Sequence, residues 1–250
     1  FIRPVHNFIM LHGRNLLCES VELLGLKSTK SETLGHRFLS KGRIELPHAN
    51  EYEKVLLESG YVIASFEKRK ELIIEKLHDA SKKENENIVQ DDFLLNEVTA
   101  LVEYPEIYVG KFNQKFLHIP QECLILSMKQ HQKYFPLLDN KGNLLSRFLM
   151  VSNIKTNKSA AIISGNERVL QARLADAEFF FDQDRKKTLA SRIKKLGGVV
   201  YHSKLGMLSD RVERVSKIAQ AIGLQLGGKK LAALAGEVAM LAKADLLTDM

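Results

Sequence analysis

The doublet His78-Asp79 is the part of the sequence closest to a known catalytic pattern. In metal-dependent phosphohydrolases such a doublet supplies two adjacent metal ligands and needs a further histidine upstream and an aspartate downstream. Here the doublet stands at the polar end of a predicted helix, beside Ala80-Ser81-Lys82-Lys83. We therefore interpret it as a solvated helix end rather than as half of a metal site.

Asp245 is a second candidate for chemistry, because it continues an apolar helical face. Four apolar residues precede it at helical spacing: Leu231, Leu234, Val238 and Leu241. A carboxylate on such a face must be paired, hydrogen-bonded or protonated. We favour a polar anchor over a metal ligand, since His202 is the only nearby imidazole and lies far upstream. We thus expect no divalent metal at Asp245, and we expect its removal to weaken helix packing.

Basic residues are concentrated in one segment of the chain. Residues 181–220 hold ten Lys and Arg against four Asp and Glu, while the whole chain has a net charge of +7. Such a segment is typical of a surface that binds a polyanion, often nucleic acid, through phosphate contacts. A solvated helix surface is the alternative. The predicted binding residues are Arg185, Lys186, Lys187, Arg192, Lys194, Lys195, Lys204, Arg211, Arg214 and Lys217.

Two further groups are less specific. Residues 130–135 interleave amide, imidazole, cationic and aromatic side chains, which suits RNA contact, but equally suits a strand end with Tyr134 and Phe135 in the core. Asp182 and Asp184 fit an exposed helix surface better than a magnesium site. No phosphate-binding glycine loop, nucleophile elbow or His-Glu-x-x-His helix occurs. The residues alone therefore predict no catalytic centre.

The composition is that of an ordinary globular protein: 250 residues, 45% hydrophobic and 27% charged. This excludes general disorder and collagen-like structure. No apolar run approaches the roughly 20 residues that span a bilayer. Two cysteines, Cys18 and Cys123, are too few for a disulfide scaffold and fit a reducing cytosol. Because the chain begins at Phe1 and ends within an apolar-rich run, we expect it to be a piece of a longer protein.

Strand and turn signals dominate residues 1–50. Apolar runs over residues 5–11 and 16–26 flank a turn and predict a hairpin, and residues 35–39 predict another strand. Asn50 is a candidate cap for a helix that extends to about residue 83, with a break near Ser59-Gly60.

Residues 93–153 show mainly strand signals. Strands are predicted over residues 107–112 and 123–128, and a hairpin is predicted around Asp139-Asn-Lys-Gly-Asn.

Helical periodicity takes over after Ser164, which has capping-box spacing with Glu167. A later helix is predicted to begin at Ser209 or Asp210 and a further one near Lys229, after Gly227-Gly228. The later helix is predicted to bury Val212, Val215, Ala219 and Ile222, with Arg211, Arg214 and Lys217 together on the opposite face. We therefore predict an α+β fold with two parts, a mixed region over residues 1–163 and an all-α domain over residues 164–250.

Residues 165–184 read Gly-Asn-Glu-Arg-Val-Leu-Gln-Ala-Arg-Leu-Ala-Asp-Ala-Glu-Phe-Phe-Phe-Asp-Gln-Asp. This block closely resembles the β subunit of the bacterial, heterotetrameric glycyl-tRNA synthetases, and other blocks agree in the same order along the chain. They include Arg3-Pro-Val-His, Gly35-His36-Arg37-Phe38, Met128-Lys-Gln-His-Gln-Lys-Tyr-Phe-Pro and Ala242-Lys-Ala-Asp-Leu-Leu-Thr-Asp-Met.

The resemblance implies a tRNA-binding subunit that supports attachment of glycine to tRNA in the cytoplasm. It implies that a separate α subunit binds glycine and uses ATP and Mg²⁺, so that this chain holds no cofactor. The partners would be that α subunit and tRNA(Gly), with no membrane. The resemblance also implies a B3/B4-like domain over residues 1–163 and a truncated HD-like domain over residues 164–250, without the anticodon-binding module.

In the HD-like region, the position of the metal-binding doublet reads Ala244-Asp245, so the histidine ligand is missing. This departure favours a scaffold over a metal hydrolase. Two alternatives to the tRNA-binding subunit stay open at the level of sequence: a metal phosphohydrolase centred on His202 and Asp245, and a structural connector whose basic surface does not contact RNA.

Overall fold

The computed structural model describes residues 5, 8–17, 22–23, 25–27, 30–82 and 86–250. Cys18, the Arg3 block and the predicted helix end at residue 83 lie outside these residues. The chain divides into two compact units, Phe1–Arg173 and Leu174–Met250. Both helices and antiparallel strands are present, which confirms the predicted α+β class.

Three short hairpins open the first unit. They are formed by β1 (Leu11–His12) with β2 (Asn15–Leu16), β3 (Glu22–Leu23) with β4 (Leu26–Lys27), and β5 (Glu32–Leu34) with β6 (Arg43–Glu45). The first confirms the predicted hairpin, but the long strand predicted over residues 16–26 is wrong where it is described. Gly25 has a φ of +76° there, which turns the chain back.

The predicted strand over residues 35–39 is also wrong, because these residues form a turn around a buried histidine. His36 is only 2% exposed. Its Nδ1 accepts hydrogen bonds from the backbone N–H groups of Phe38 and Leu39, each at 3.2 Å. Its other ring nitrogen, Nε2, bonds to the carbonyl oxygen of Asn153. These bonds hold the segment in a turn, which we call the His36 turn (residues 35–40).

The long helical segment breaks where predicted, into α1 (Tyr52–Glu58) and α2 (Phe66–Lys82). Asn50 does not cap it. Instead, the Nδ1 of His48 accepts from the N–H of Asn50, at the start of a 3-10 segment (Ala49–Glu51).

A four-stranded antiparallel sheet forms the centre of the first unit. It contains β7 (Asn87–Ile88), β8 (Glu106–Lys111), β9 (Phe135–Leu138) and β10 (Leu144–Ser152), in the spatial order β7-β9-β10-β8. The predicted hairpin between β9 and β10 is confirmed. The turn of this hairpin is held by Asp139, whose carboxylate accepts hydrogen bonds from Asn143 and from the backbone N–H of Lys141. The hydrogen bonds from Asn143 are the main cause of the lowered pKa of Asp139.

Helices α2, α3 (Asp92–Leu101) and α4 (Gln121–Gln132) accompany the sheet. The buried core is built from α2, α3 and the two central strands β9 and β10, and includes Ile73, Leu77, Leu94, Val98, Phe135, Leu137 and Leu149. The strand predicted over residues 123–128 is wrong, since these residues lie in α4. Leu124 and Met128 are fully buried at i and i+4, which is the spacing of one helix face.

Helix α5 (Ser159–Arg185) spans the division between the two units. It begins five residues before Ser164, so the predicted capping box is wrong. Glu167 instead accepts from the backbone N–H of Lys111 at 2.8 Å, and Asn166 accepts from the hydroxyl of Tyr134 at 2.7 Å. The Gly-Asn-Glu block thus ties α5 to the strand and helix ends of the first unit.

The second unit contains α6 (Leu189–Arg192), a 3-10 segment (Ile193–Gly198), β11 (Val200–His202), β12 (Gly206–Met207) and α7 (Leu208–Leu241). The antiparallel hairpin of β11 and β12 corrects the prediction of an all-α domain. Helix α7 is broken at Gly227 and Gly228, as the sequence predicts, and forms two arms. Asp210 lies in its third position, where its carboxylate accepts from the N–H of Met207; neither Ser209 nor Asp210 is the cap residue.

Small residues, not bulky ones, pack the two arms of α7 together. Gly223 lies so close to Ala232 that a Cβ added to the glycine would stand 2.9 Å from the Ala232 Cα, and the Ser216 hydroxyl donates to the Gly236 carbonyl. Val212 is buried as predicted, but Val215 and Ile222 are 45% and 51% exposed. Hydrophobicity alone predicted the buried face only in part, because Ser216, Gly223, Gly236 and Ala239 are buried where Val215 and Ile222 are not.

Asp91 generates the first testable prediction, since it both caps α3 and pairs with Lys129 of α4. The Lys129 ammonium, followed by the N–H of Leu94, lowers the pKa of this carboxyl. Asp91→Ala should lower the free energy of unfolding by about 1–2 kcal/mol at pH 7. The stability that comes from a lowered native pKa is fully present above the ordinary value of about 3.9. It is lost progressively as pH falls below that value and through the lowered native pKa, so the difference should shrink toward pH 3.

Urea unfolding at pH 7 and pH 3 measures this difference. Asp92→Ala removes the neighbouring carboxylate and is the matched control, with an expected change within about 0.5 kcal/mol. A difference between wild type and Asp91→Ala that is the same at both pH values would contradict this assignment.

Candidate nucleic-acid interface

Arg192, one of the ten predicted binding residues, is buried in the structure. It is only 6% exposed, and its guanidinium donates to the carboxylate of Asp184 at 2.7 Å and to the carbonyl oxygen of Leu247. A buried cation requires such a partner, because removing it from water alone is costly. Arg192 is therefore a structural residue and is excluded from the candidate interface.

Eight of the other predicted residues are exposed, and Arg211 is half-buried. Arg185, Lys186 and Lys187 lie at the end of α5 and directly after it, Lys194 and Lys195 on the 3-10 segment, and Lys204 in the turn between β11 and β12. Arg211, Arg214 and Lys217 lie on the first arm of α7. We call these nine residues the basic surface. Among the described residues, Arg192 alone of the ten predicted residues forms an ion pair with a carboxylate.

Two members of the basic surface are held against the hairpin of β11 and β12. The guanidinium of Arg211 lies 4.4 Å from the ring centroid of Tyr201, and that of Arg214 donates to the carbonyl oxygen of Leu205 at 3.2 Å. Stacking on an aromatic ring leaves the edge N–H groups of a guanidinium able to donate. Both side chains are thus partly ordered and keep donors for an anion.

The three α7 cations do not share one narrow face. A step of three residues falls about 60° short of a full turn at 3.6 residues per turn, so they are spread over about 120° of the helix circumference. The arc is centred opposite the side of the helix that buries Val212, Ser216 and Gly223, so the three cations lie on the outward side of this arm, and their joint action on a ligand stays a prediction. Val215 and Ile218 are exposed on the same arm, so apolar side chains interrupt the basic surface.

The full length of the chain, residues 1–250, matches the model of one protein family, described as the glycyl-tRNA synthetase beta subunit. The chain belongs to this family.

Individual relatives agree with this assignment. The chain is 52% identical over 250 residues to the glycine–tRNA ligase beta subunit of Neisseria meningitidis serogroup A, and 51% identical over 257 residues to that of Dechloromonas aromatica. The relative from Methylobacillus flagellatus is 50% identical over 251 residues. In each case the whole chain is covered, but only 35–36% of the relative, so the chain spans about a third of the length of these glycyl-tRNA synthetase β subunits.

The residues considered as metal ligands are not brought together in this family member. Asp245 is exposed in a 3-10 segment (Ala244–Leu247) after α7, and not on the apolar face where it was predicted; Ala244 is the buried neighbour. His202 is exposed and its Nδ1 accepts from the N–H of Lys204. Across the described residues, no three His, Cys, Asp or Glu side chains converge as a metal site would require.

Other sequence candidates have structural roles or none. His78 and Asp79 are exposed at the end of α2, as interpreted from the sequence. Tyr134 and Phe135 are buried in the core. Tyr134 stacks on Phe148 with ring centroids 4.6 Å apart, and burial raises the pKa of Tyr134 to about 12.

No described helix has the length and apolar character needed to cross a membrane.

The role of Asp184 was missed by sequence reasoning, which placed it on an exposed face. Besides pairing with Arg192, its carboxylate accepts from the backbone N–H groups of Asp249 and Met250 at 2.9–3.0 Å. Asp184 and Arg192 stand eight residues apart across a turn, a spacing that no helical pairing rule identifies. Only the folded chain brings them together.

The Arg192–Asp184 pair gives the second prediction. Arg192→Ala should lower the free energy of unfolding by about 3 kcal/mol, because it leaves the carboxylate of Asp184, only 13% exposed, without its cation. Lys195→Ala, which removes an exposed cation three residues away, should change it by less than about 0.5 kcal/mol. Chemical unfolding of both variants, followed by circular dichroism, measures the contrast. Equal stability of the two variants would mean that Arg192 has no structural role.

Proposed function

We propose that this chain acts within the β subunit of a glycine–tRNA ligase and binds tRNA through its basic surface. The observation that carries the proposal is the set of nine exposed or half-buried cations of the second unit, two of them braced by the hairpin of β11 and β12. Cations without a carboxylate partner suit phosphate contacts, which position a nucleic acid and contribute salt-dependent affinity. Membership in the glycyl-tRNA synthetase β-subunit family supports tRNA as the polyanion.

We propose the acceptor arm of tRNA as the part contacted, since the resemblance assigns anticodon recognition to a module outside these residues. An α subunit would bind glycine and carry out ATP- and Mg²⁺-dependent activation. The name "beta subunit" carried by the relatives supports such a partner. The cytoplasm is the proposed compartment.

We also retain the HD-like and B3/B4-like assignments as proposals. The absence of converging metal ligands among the described residues fits an HD-like scaffold that presents basic side chains rather than a hydrolase. For the first unit, the central antiparallel sheet with flanking helices is the feature compared with B3/B4 domains.

The division of labour predicts that this chain alone does not activate glycine. Its sequence has no phosphate-binding loop of the Gly-x-x-x-x-Gly-Lys-Ser/Thr type. Purified chain should give no glycine-dependent exchange of pyrophosphate into ATP above a protein-free blank, whereas addition of an α subunit from a relative provides the positive control. Exchange by the chain alone would contradict the proposal.

A charge-removal variant tests tRNA binding directly. Changing Arg211, Arg214 and Lys217 together to Ala removes up to three phosphate contacts. The slope of log affinity against log salt should then shrink by roughly two to three units, because each contact releases about one counterion. Titration of tRNA into the α/β complex, from low to moderate salt, measures the slope.

The matched control removes the same net charge from the first unit: Lys54, Lys141 and Lys155, all exposed, changed together to Ala. This control should keep the wild-type slope, and circular dichroism should show both variants folded. A wild-type slope in a folded α7 variant would assign the basic surface to solvated protein and favour the structural connector.

A further inference from the structure

The aromatic side chain of Phe38 is exposed to solvent rather than buried in the core. It is 73% exposed, although burial of an aromatic ring stabilises a fold. It lies in the His36 turn, in the first unit, and forms no part of the basic surface. Its exposure therefore needs an explanation from its surroundings.

The backbone that carries Phe38 is held from inside. The buried Nδ1 of His36 accepts from the N–H groups of Phe38 and Leu39, so Nε2 carries the proton and donates to the Asn153 carbonyl. The backbone N–H of Ser40 donates to the His36 carbonyl at 3.0 Å. The turn is thus fixed in shape by an imidazole whose two nitrogens are both bonded.

The turn is also fixed from the side. The N–H of His36 donates to the Gly60 carbonyl at 2.7 Å, and the Ser40 hydroxyl donates to the Ser59 carbonyl. A Cβ added at Gly35 would stand 2.6 Å from the Gly60 backbone, so the two chains meet at a distance that only glycine permits. A side chain presented from so constrained a turn loses little further backbone freedom on binding.

The charged residues around the Phe38 ring indicate which class of ligand it would bind. The guanidinium carbon of Arg37 lies 5.6 Å from the Phe38 ring centroid, over one face of the ring. Residues 35–43 carry three exposed cations, Arg37, Lys41 and Arg43, and no carboxylate. Arg43 Nε forms an ion pair with Glu32 at 3.8 Å. Exposed aromatic rings interleaved with cations are characteristic of surfaces that bind single-stranded nucleic acid.

We propose that Phe38 and Arg37 form a stacking platform for an unpaired base of RNA, with Lys41 and Arg43 beside it for the flanking phosphates. The base would lie on the ring face opposite Arg37. This inference rests on the proposed function for the identity of the RNA. The platform differs physically from the basic surface, because stacking is a neutral contact whose strength depends weakly on salt.

The test uses the 250-residue chain and a single-stranded RNA octamer with one 2-aminopurine, whose fluorescence is quenched on stacking. Phe38→Ala should lower affinity about five- to a hundredfold, the range of one lost base–aromatic stack. It should abolish the protein-induced quenching and leave the salt slope unchanged. Phe38→Trp should retain affinity and quenching, while Phe38→Leu, which keeps apolar bulk without a π face, should behave like Phe38→Ala.

The outcomes separate the two proposals. If Phe38→Ala keeps affinity and quenching while the α7 triple variant loses salt slope, the stacking platform is wrong and the basic surface stands. If quenching depends on Phe38 but the triple variant keeps its slope, the platform stands and the basic surface fails. No binding of octamer or tRNA by the wild-type chain overturns both. A Phe38→Ala chain that binds RNA normally but fails to associate with an α subunit assigns the patch to a protein interface instead.

Discussion

The buried pair of Arg192 and Asp184 is the interaction on which the arrangement of the second unit depends. Asp184, near the end of α5, accepts from Arg192 of α6 and from two backbone N–H groups at residues 249 and 250, while Arg192 also donates to the carbonyl of Leu247. One carboxylate therefore joins the end of α5, helix α6 and residues 249–250 at the end of the unit. Hydrogen bonds of this kind offset part of the cost of removing the pair from water, although the Nε of Arg192 is buried without a hydrogen-bond partner among the described residues.

The same pair positions much of the basic surface. Arg185, Lys186 and Lys187 follow directly after Asp184, and Lys194 and Lys195 follow shortly after Arg192. Because the charged groups of Asp184 and Arg192 point inward, the short segments after them are turned toward solvent. The buried Arg192 thus orients the exposed lysines that follow it. A residue outside the basic surface therefore helps to direct the positive charge of this segment toward solvent.

Local signals in the sequence predicted those elements that local chemistry determines. Asp139-Asn-Lys-Gly-Asn specified the β9–β10 hairpin through side-chain bonds within the turn, and Gly227-Gly228 marked the break in α7. The signals failed where distant contacts decide. Residues 35–40 form a turn instead of the predicted strand, because His36 is hydrogen-bonded to the carbonyl oxygen of the distant Asn153. Helix α7 buries Ser216, Gly223 and Gly236, because the close approach of its two arms outweighs the burial of larger side chains. For the candidate site, nine of ten cations stayed at or near the surface, but charge alone could not identify the buried one.

The cations that remain on the surface are not equivalent in what they contribute to binding an anion. An arginine side chain carries about 2 kcal/mol of rotamer entropy, part of which is lost when it is fixed on a ligand. Arg211, stacked on Tyr201, and Arg214, bonded to Leu205, have lost some of this freedom before any ligand arrives. Lys217, one turn further along α7, is exposed and has no such brace among the described contacts. Since ordering costs are subtracted from every contact formed, the two arginines beside the hairpin are better preorganised than the lysines, and the hairpin of β11 and β12 acts as a support for the surface rather than as a surface itself.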